Sequence, residues 1–443
     1  MMKHSNLICT GALIACLTAG AQFALGDVAT WTGAVSGDWA DPGNWNRAGG
    51  GVPQGGDDIV LPAGAPNQNQ TAISVGNVVT PLNSLTLQGG GYVIGNPSAT
   101  LIFGTLISST GNNTIQAAIF HQNQVAYVSN GGTLTFDSAG THEAKDLFNM
   151  SGNGTIVFND PVAVNGGNRI MDVTGTVTLR FNDALGGLTR VFSNNRAGGA
   201  RVQAGGTVLV NGGSPATGNP SNQTNVWSIT DGATLGGNGT LFATSCDNIW
   251  GSGIIGIGYR GHTGFQFGDG TLSPGDPIVN GGIGTLNVTA TYGVKFGGQG
   301  AATVDPQTGT VFDSGTSTGT FLVQLGHGTT GDRLNVTGNI DLSSSFDVLQ
   351  LNMLPGADQS GDYVIATYTG TLTGVFNTVF LGASDITASA TSQFMINDVR
   401  YRLDYGTGSN SQITLVALPE PAGALVLTAG ALVVAGRRRA CGS

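Results

Sequence analysis

The chain has 443 residues, of which only 9% are charged, against about 25% in an ordinary soluble domain; 74 are glycine, more than double the usual share of about 7%. Sixteen Lys and Arg stand against 26 acids, a net charge of -10, and such a surface repels nucleic acid and anionic headgroups, which excludes DNA and RNA as partners. Glycine and proline stay below the share of roughly 25 to 30% at which low-complexity disorder takes over, so the chain buries a core. Much Gly, Thr, Asn and Val with little patterning at helical period predicts many short strands joined by tight turns. Cysteines stand at 9, 16, 246 and 441, and only Cys246 lies in the body, where a single thiol makes no intrachain disulfide.

Residues 1–26 carry Lys3 and His4, then an apolar run from Leu7 to Leu25, and a small-residue cut after Ala24-Leu25-Gly26, between Gly26 and Asp27. This is the pattern of a secretory signal peptide. Leu13-Ile14-Ala15-Cys16 offers a second reading, a lipobox that leaves a lipid on Cys16.

Residues 27–66 open the exported body with Trp31-Thr32-Gly33, Gly37-Asp38-Trp39 and Asn44-Trp45-Asn46. The tryptophans either stack on sugar rings or plug one end of an elongated β-structure, which needs a cap over its last rung. We expect a Trp-rich N-terminal cap.

Residues 67–310 are the expected β-helix repeat body, and from about residue 82 a short phrase recurs: Gly-Thr followed by alternating apolar residues. It stands at Gly132-Thr133-Leu134-Thr135-Phe136, Gly154-Thr155-Ile156-Val157-Phe158, Gly175-Thr176-Val177-Thr178-Leu179 and Gly206-Thr207-Val208-Leu209-Val210. Weaker copies begin at Gly104, Gly239, Gly270, Gly284 and Gly319. From Gly132 the successive spacings are 22, 21, 31, 33, 31, 14 and 35 residues. Glycine supplies a turn of positive φ, and the alternation that follows sends one set of side chains inward and the other outward. A spacing near 22 suits one coil of a right-handed parallel β-helix, and the longer ones a coil with an added loop. A set of β-sandwiches with Gly-rich hairpins fits the same phrases.

Asp231-Gly232-Ala233-Thr234-Leu235-Gly236-Gly237-Asn238-Gly239-Thr240-Leu241 and Leu272-Ser273-Pro274-Gly275-Asp276, with the Trp-rich opening, resemble bacterial surface proteins built from autotransporter-associated β-strand repeats. The chain departs from autotransporters in having no series of about ten-residue alternating membrane strands at its end. Residues 311–417 continue the strand signals with larger side chains, at Asp332-Arg333-Leu334-Asn335-Val336, Gly361-Asp362-Tyr363-Val364-Ile365 and Ile413-Thr414-Leu415. We read them as a terminal β-rich module, either final coils or a small sandwich.

Candidate sites are sparse. His142, Glu143, Lys145 and Asp146 form the densest ionisable cluster, a constellation for general acid–base chemistry or else a solvated turn. Tyr259, Arg260, His262 and Asp269 form a second group in a Gly-rich stretch. Phe312-Asp313-Ser314-Gly315-Thr316 looks like an aspartic-protease loop, yet its nearest second copy, Phe136-Asp137-Ser138-Ala139, has alanine where glycine is required. His121, His142, His262 and His327 are too widely spaced for a zinc motif, and Asp269 and Asp276 lack the acidic repeat of calcium-binding β-rolls. We therefore expect no catalytic, cofactor or metal site.

The tail, residues 418–443, runs Pro419-Glu420-Pro421, an apolar segment at 422–436, and Arg437-Arg438-Arg439. It resembles the PEP-CTERM sorting domain of Gram-negative bacteria. That resemblance implies an exosortase-type enzyme acting at Pro-Glu-Pro after the apolar segment has lodged transiently in the inner membrane. A plain anchor is the competing reading, but about fifteen residues span only some 22 Å of helix against a hydrocarbon core of about 30 Å.

The sequence thus predicts an all-β chain: a right-handed parallel β-helix or β-solenoid body with a β-rich C-terminal module, between a signal peptide and a C-terminal transmembrane sorting helix. The expected role is that of a non-enzymatic cell-surface or extracellular-matrix structural or adhesion protein, exported through the inner membrane to the surface, outer envelope or matrix. Its expected partners are exopolysaccharide or envelope components. The alternative is an extracellular polysaccharide-active β-helix enzyme, a lyase or hydrolase.

Overall fold

Thr133–Phe136 shows in four residues how the body is made: threonines at 133 and 135 face outward while Leu134 and Phe136 are fully buried. Period-two alternation gives the strand an apolar inner face that it cannot cover alone. The next coil covers it, pairing Thr133 with Thr155 and Phe136 with Phe158 in parallel, and Thr178–Phe181 and Thr207–Val210 follow in the same register. The inner side chains stack in columns. Phe136 lies on Phe158 at 4.9 Å and 8°, and Phe158 on Phe181 at 5.2 Å and 6°.

In the computed structural model the described residues are 26–70, 81–97, 100–121, 124–183, 185–186, 199–212, 226–243, 254–257, 269–290, 292–298, 303–304, 311–312, 317–357, 361–406 and 411–419. Over these the chain is all-β with parallel sheets, an arrangement compatible with a β-helix or β-solenoid. A first sheet runs from Trp45–Arg47 at one end to Leu372–Gly374 at the other; a second runs from Asn69–Gln70 to Ser384–Asp385. A third begins at Thr240–Ala243 and ends at Phe394–Ile396. From Ala233 on, each turn of chain visits the sheets in the order second, third, first, as in Gly270–Pro274, Thr285–Ala290 and Gly293–Phe296. Parallel pairing continues through Val348 to Leu351 against Thr378 to Leu381.

The register corrects one detail of the repeat. Thr178, not Thr176, is the partner of Thr155, because Gly175 at φ 75° belongs to the preceding turn and Val177 points into the core. Glycine is required where turns of adjacent coils touch. At Gly132 φ is 81°, and a Cβ there would sit 2.4 Å from the carbonyl carbon of Gly111 in the coil beneath.

Both ends carry antiparallel pieces. Trp45–Arg47 pairs antiparallel with Val28–Trp31, and Trp31, Trp39 and Trp45 are buried against one another edge to face, with centroids 5.0 and 5.3 Å apart. Each indole N–H finds an acceptor: Pro66 O for Trp31, the Gln70 amide oxygen for Trp39 and Trp39 O for Trp45. At the far end Gln412–Leu418 lies antiparallel between Tyr363–Tyr368 and Val399–Asp404.

Candidate functional site

The outer faces carry the most regular chemistry. In the second sheet, Thr133, Thr155, Thr178, Thr207, Thr234, Thr271 and Thr320 are successive register partners, all half-buried and outward-facing. Parallel neighbours are about 4.8 Å apart, so this is a straight column of hydroxyl and methyl groups roughly 29 Å long. Beside it runs a ladder of side-chain amides: Asn159 donates to Asp137 at 3.3 Å, Asn182 to Asn159 at 2.9 Å and Asn211 to Asn182 at 3.1 Å. The third sheet repeats the device, with Asn335 donating to Asn287 at 2.9 Å and Thr367 to Asn335 at 2.8 Å. Amides and hydroxyls are uncharged donors and acceptors at any physiological pH, a chemistry suited to neutral polyhydroxyl chains.

Several ionisable groups are buried. The Tyr127 hydroxyl sits between His121 Nε2 and His142 Nε2; it donates to one imidazole and accepts from the other, since a hydroxyl carries one proton. All three are fully buried, and the His142 ring lies 4.8 Å from Phe136 and 5.1 Å from Phe158. Burial lowers His121 from 6.5 to about 3, against a raising contribution from the Phe103 backbone. His142 is driven well below its usual value, by burial first and then by His121. Burial raises Tyr127, with Asp160 adding to it. Asp160 is itself raised by burial, against a 2.7 Å hydrogen bond from Ser138 Oγ. His121, His142 and Tyr127 are neutral at physiological pH and closed to solvent.

Three further carboxylates tie coils together. Asp276, fully buried, receives Arg180, Asn211 Nδ2 at 2.7 Å and the Ile278 amide at 3.1 Å. Burial pushes its carboxyl up, but these partners outweigh it and hold the group below the usual range. Asp332 accepts the Gly284 and Gln324 amides, each at 2.9 Å, and burial raises it to about 7. Asp347, bonded to the Asn377 amide, is likewise raised by burial to about 7.

Of the described residues singled out in the sequence, His121 and His142 meet across Tyr127. His142 faces the core while its neighbour Glu143, on the opposite face of the strand His142–Gly152, is half-buried; the side chains of Lys145 and Asp146 lie outside the described residues. Asp137 is exposed on the amide ladder, and Asp269 accepts the Thr318 amide at 2.7 Å. His121 joins the buried network, whereas His327 is exposed in a short 3-10 turn. Cys246, Tyr259, Arg260, His262 and Asp313 to Thr316 lie outside the described residues, as do the leader up to Leu25, Glu420, Pro421 and the tail beyond, Arg437 to Arg439 included. Gly26, Asp27 and Pro419 are described, and Pro419 is exposed directly after the strand Gln412–Leu418.

Sequence reasoning missed the pairing of His121 with His142 through Tyr127. The available signal was alternation, which puts His121 on the inner face of Ala118–His121 with Ile119, in register with Leu101 and Phe103 of the neighbouring strand. Among the described residues no helix is long and apolar enough to cross a membrane, and no three His, Cys, Asp or Glu are grouped to hold a metal. No family model matches the chain, and no curated protein matches it.

Proposed function

We propose that this chain is an exported, non-enzymatic structural or adhesion protein of the cell surface or extracellular matrix, built as a right-handed parallel β-helix and delivered through a C-terminal PEP-CTERM sorting signal. The column of seven outward threonines carries this reading. Identical hydroxyl groups at a fixed spacing of about 4.8 Å make individually weak contacts with a repeating polymer, and a rigid array makes them simultaneous. Exopolysaccharide or another envelope polymer is the partner class, with the inner membrane and an exosortase-type enzyme met in transit. The order of the C-terminal segment supports the delivery route: after the last described strand, Gln412–Leu418, the sequence continues with Pro419-Glu420-Pro421, the apolar run 422–436 and Arg437-Arg438-Arg439.

The test is co-sedimentation of the purified body with exopolysaccharide from the producing cells, wild type against the triple variant Thr155→Asp, Thr178→Asp, Thr207→Asp. Three adjacent carboxylates break the column without entering the core, so polymer binding falls more than tenfold while the unfolding transition persists. Unchanged binding in a folded triple variant refutes the reading, and so does depolymerisation of the glycan by wild type. Terminal-peptide mass spectrometry of native protein tests the route: a chain ending near Pro421 supports sorting, and one that retains Arg437 to Arg439 in membranes refutes it.

A further inference from the structure

At the Trp-lined end of the body, Asp57 has a carboxylate that is 1% exposed. It accepts from Arg47 Nε at 2.7 Å, from Arg47 Nη2 at 3.4 Å, from the Gln54 amide at 2.8 Å and from the backbone nitrogen of Asp27 at 2.9 Å. Asp27 also places its own carboxylate 3.1 Å from Arg47 Nη2, and its carbonyl accepts the Asp58 amide at 3.0 Å. The neighbouring Asp58 carboxylate is engaged elsewhere, by Asn83 and Ser84. One guanidinium therefore serves two carboxylates, the buried one of Asp57 and the partly exposed one of Asp27, and the group carries one net negative charge. The atom positioned to supply the balancing positive charge is the Asp27 nitrogen, which in an uncut chain is a neutral amide.

Residue 26 is equally constrained. A Cβ on Gly26 would lie 2.0 Å from the Gly56 carbonyl oxygen and 2.5 Å from the Asp57 nitrogen, so Gly26 itself lies hard against the backbone that carries the acceptor.

We propose that cleavage between Gly26 and Asp27 completes this site: the new α-ammonium of Asp27 becomes the missing cation, received by the buried Asp57 carboxylate, and firm closure of the Trp-lined end is thereby tied to removal of the leader. The inference rests on the leader being cut at that bond, as the export reading expects. A leader peptidase supplies the hydrolysis. Water adds across the peptide bond, its oxygen stays on Gly26 as carboxylate, and the released amine of Asp27 takes up a proton. A buried carboxylate at hydrogen-bond distance favours the protonated form, so this amine titrates above its ordinary range of about 7.7 to 8.0. It is the site, rather than the leader peptide, that turns the cut into a structural event.

The experiment compares two proteins freed from a fusion partner with defined first residues, one starting at Asp27 and one starting at Gly26, each running through residue 421. Acylation of the α-amine near pH 8 is followed by mass spectrometry of the N-terminal peptide, in folded and in urea-unfolded protein. For the Asp27 form the folded protein reacts about four- to fivefold more slowly than the unfolded one, the ratio expected near pH 8 for a pKa raised by about one unit. The Gly26 form loses that protection and unfolds at a lower denaturant concentration. Asp57→Asn removes the protection in the Asp27 form, and where that variant does not fold, the Gly26 form supplies the control. Equal reactivity of folded and unfolded Asp27 protein, or equal stability of the two forms, overturns the proposal. Mass spectrometry of native protein separates its failure from that of the export reading. A first residue other than Asp27 removes the cut and the proposal with it. Asp27 with an unprotected amine overturns the proposal and leaves export standing.

Discussion

Acidification tests the inside of the rod, through the difference between wild type and a His121→Gln, His142→Gln variant. Both imidazoles are fully enclosed, and His121 titrates at about 3 in the folded protein against 6.5 in an exposed chain. A folded pKa below the unfolded one means that the unfolded state takes the proton first. Stability is therefore intact above the unfolded value and is lost as pH falls from about 6.5 toward about 3. At about pH 5 the unfolded imidazole is some thirtyfold more protonated than deprotonated while folded His121 is still neutral, a loss of about 2 kcal/mol relative to neutral pH. His142 is lowered in the same direction and adds to the loss. Asp332 and Asp347, raised to about 7 by burial, work the other way. They hold protons in the folded state that the unfolded state has released, so they add stability as pH falls from about 7 toward 3.8. These carboxylates are common to both proteins and cancel in the difference. Guanidinium titrations at about pH 7 and about pH 5 give the free energies, with wild type losing at least about 2 kcal/mol more than the variant. Parallel pH dependences would refute the neutral, enclosed imidazole pair.

Three other outcomes follow from packing and charge. Phe158→Ala removes the middle ring of the Phe136–Phe158–Phe181 stack and costs about 3–5 kcal/mol by denaturant titration, whereas Thr155→Ala on the outer face of the same strand costs under about 1 kcal/mol. Arg180→Met leaves the Asp276 carboxylate buried without its cation and costs about 3–5 kcal/mol, while Arg402→Met, at a pair whose side chains are 47% and 35% exposed, costs at most about 1 kcal/mol. Gly132→Ala forces a Cβ against Gly111 at a φ of 81°, and its unfolding midpoint falls below that of Gly131→Ala, where φ is also positive but no atom lies within 4 Å.

Much of this architecture is legible in local alternation, and what is not legible lies in register. The Gly-Thr phrases at 132, 154 and 206 mark their strands directly, because a turn glycine is followed at once by a pleated run. The phrase at 175 misleads by two residues, since Thr176 and Thr178 are equivalent to any rule that reads one strand alone. Only contact with Thr155 chooses between them. The same limit hid the buried histidines. His142, Glu143, Lys145 and Asp146 look like one polar cluster along the chain, but a strand sends neighbours to opposite faces, and His142 joins His121 in the coil before it rather than Glu143 beside it. Asp276 is the extreme case: its partner Arg180 is 96 residues away in sequence, and no spacing rule connects them.

The ends bear on where such a body makes its contacts. A stack of parallel coils exposes unpaired backbone at its first and last rungs, and open edges recruit other chains. Here the first sheet ends in the three-residue antiparallel strand Trp45–Arg47, beside three buried indoles. At the other end the second sheet stops at the two-residue strand Ser384–Asp385, and the third turns back on itself through Val399–Asp404 to the short edge Phe394–Ile396. Short, turned-back strands leave little backbone for another molecule to extend. These edges disfavour extension, and on the outer faces the threonine column and amide ladders repeat from coil to coil among the described residues. Multivalent binding needs a repeat in the ligand as well as in the protein, and a polymer of regularly spaced polar units is the class of partner that has one.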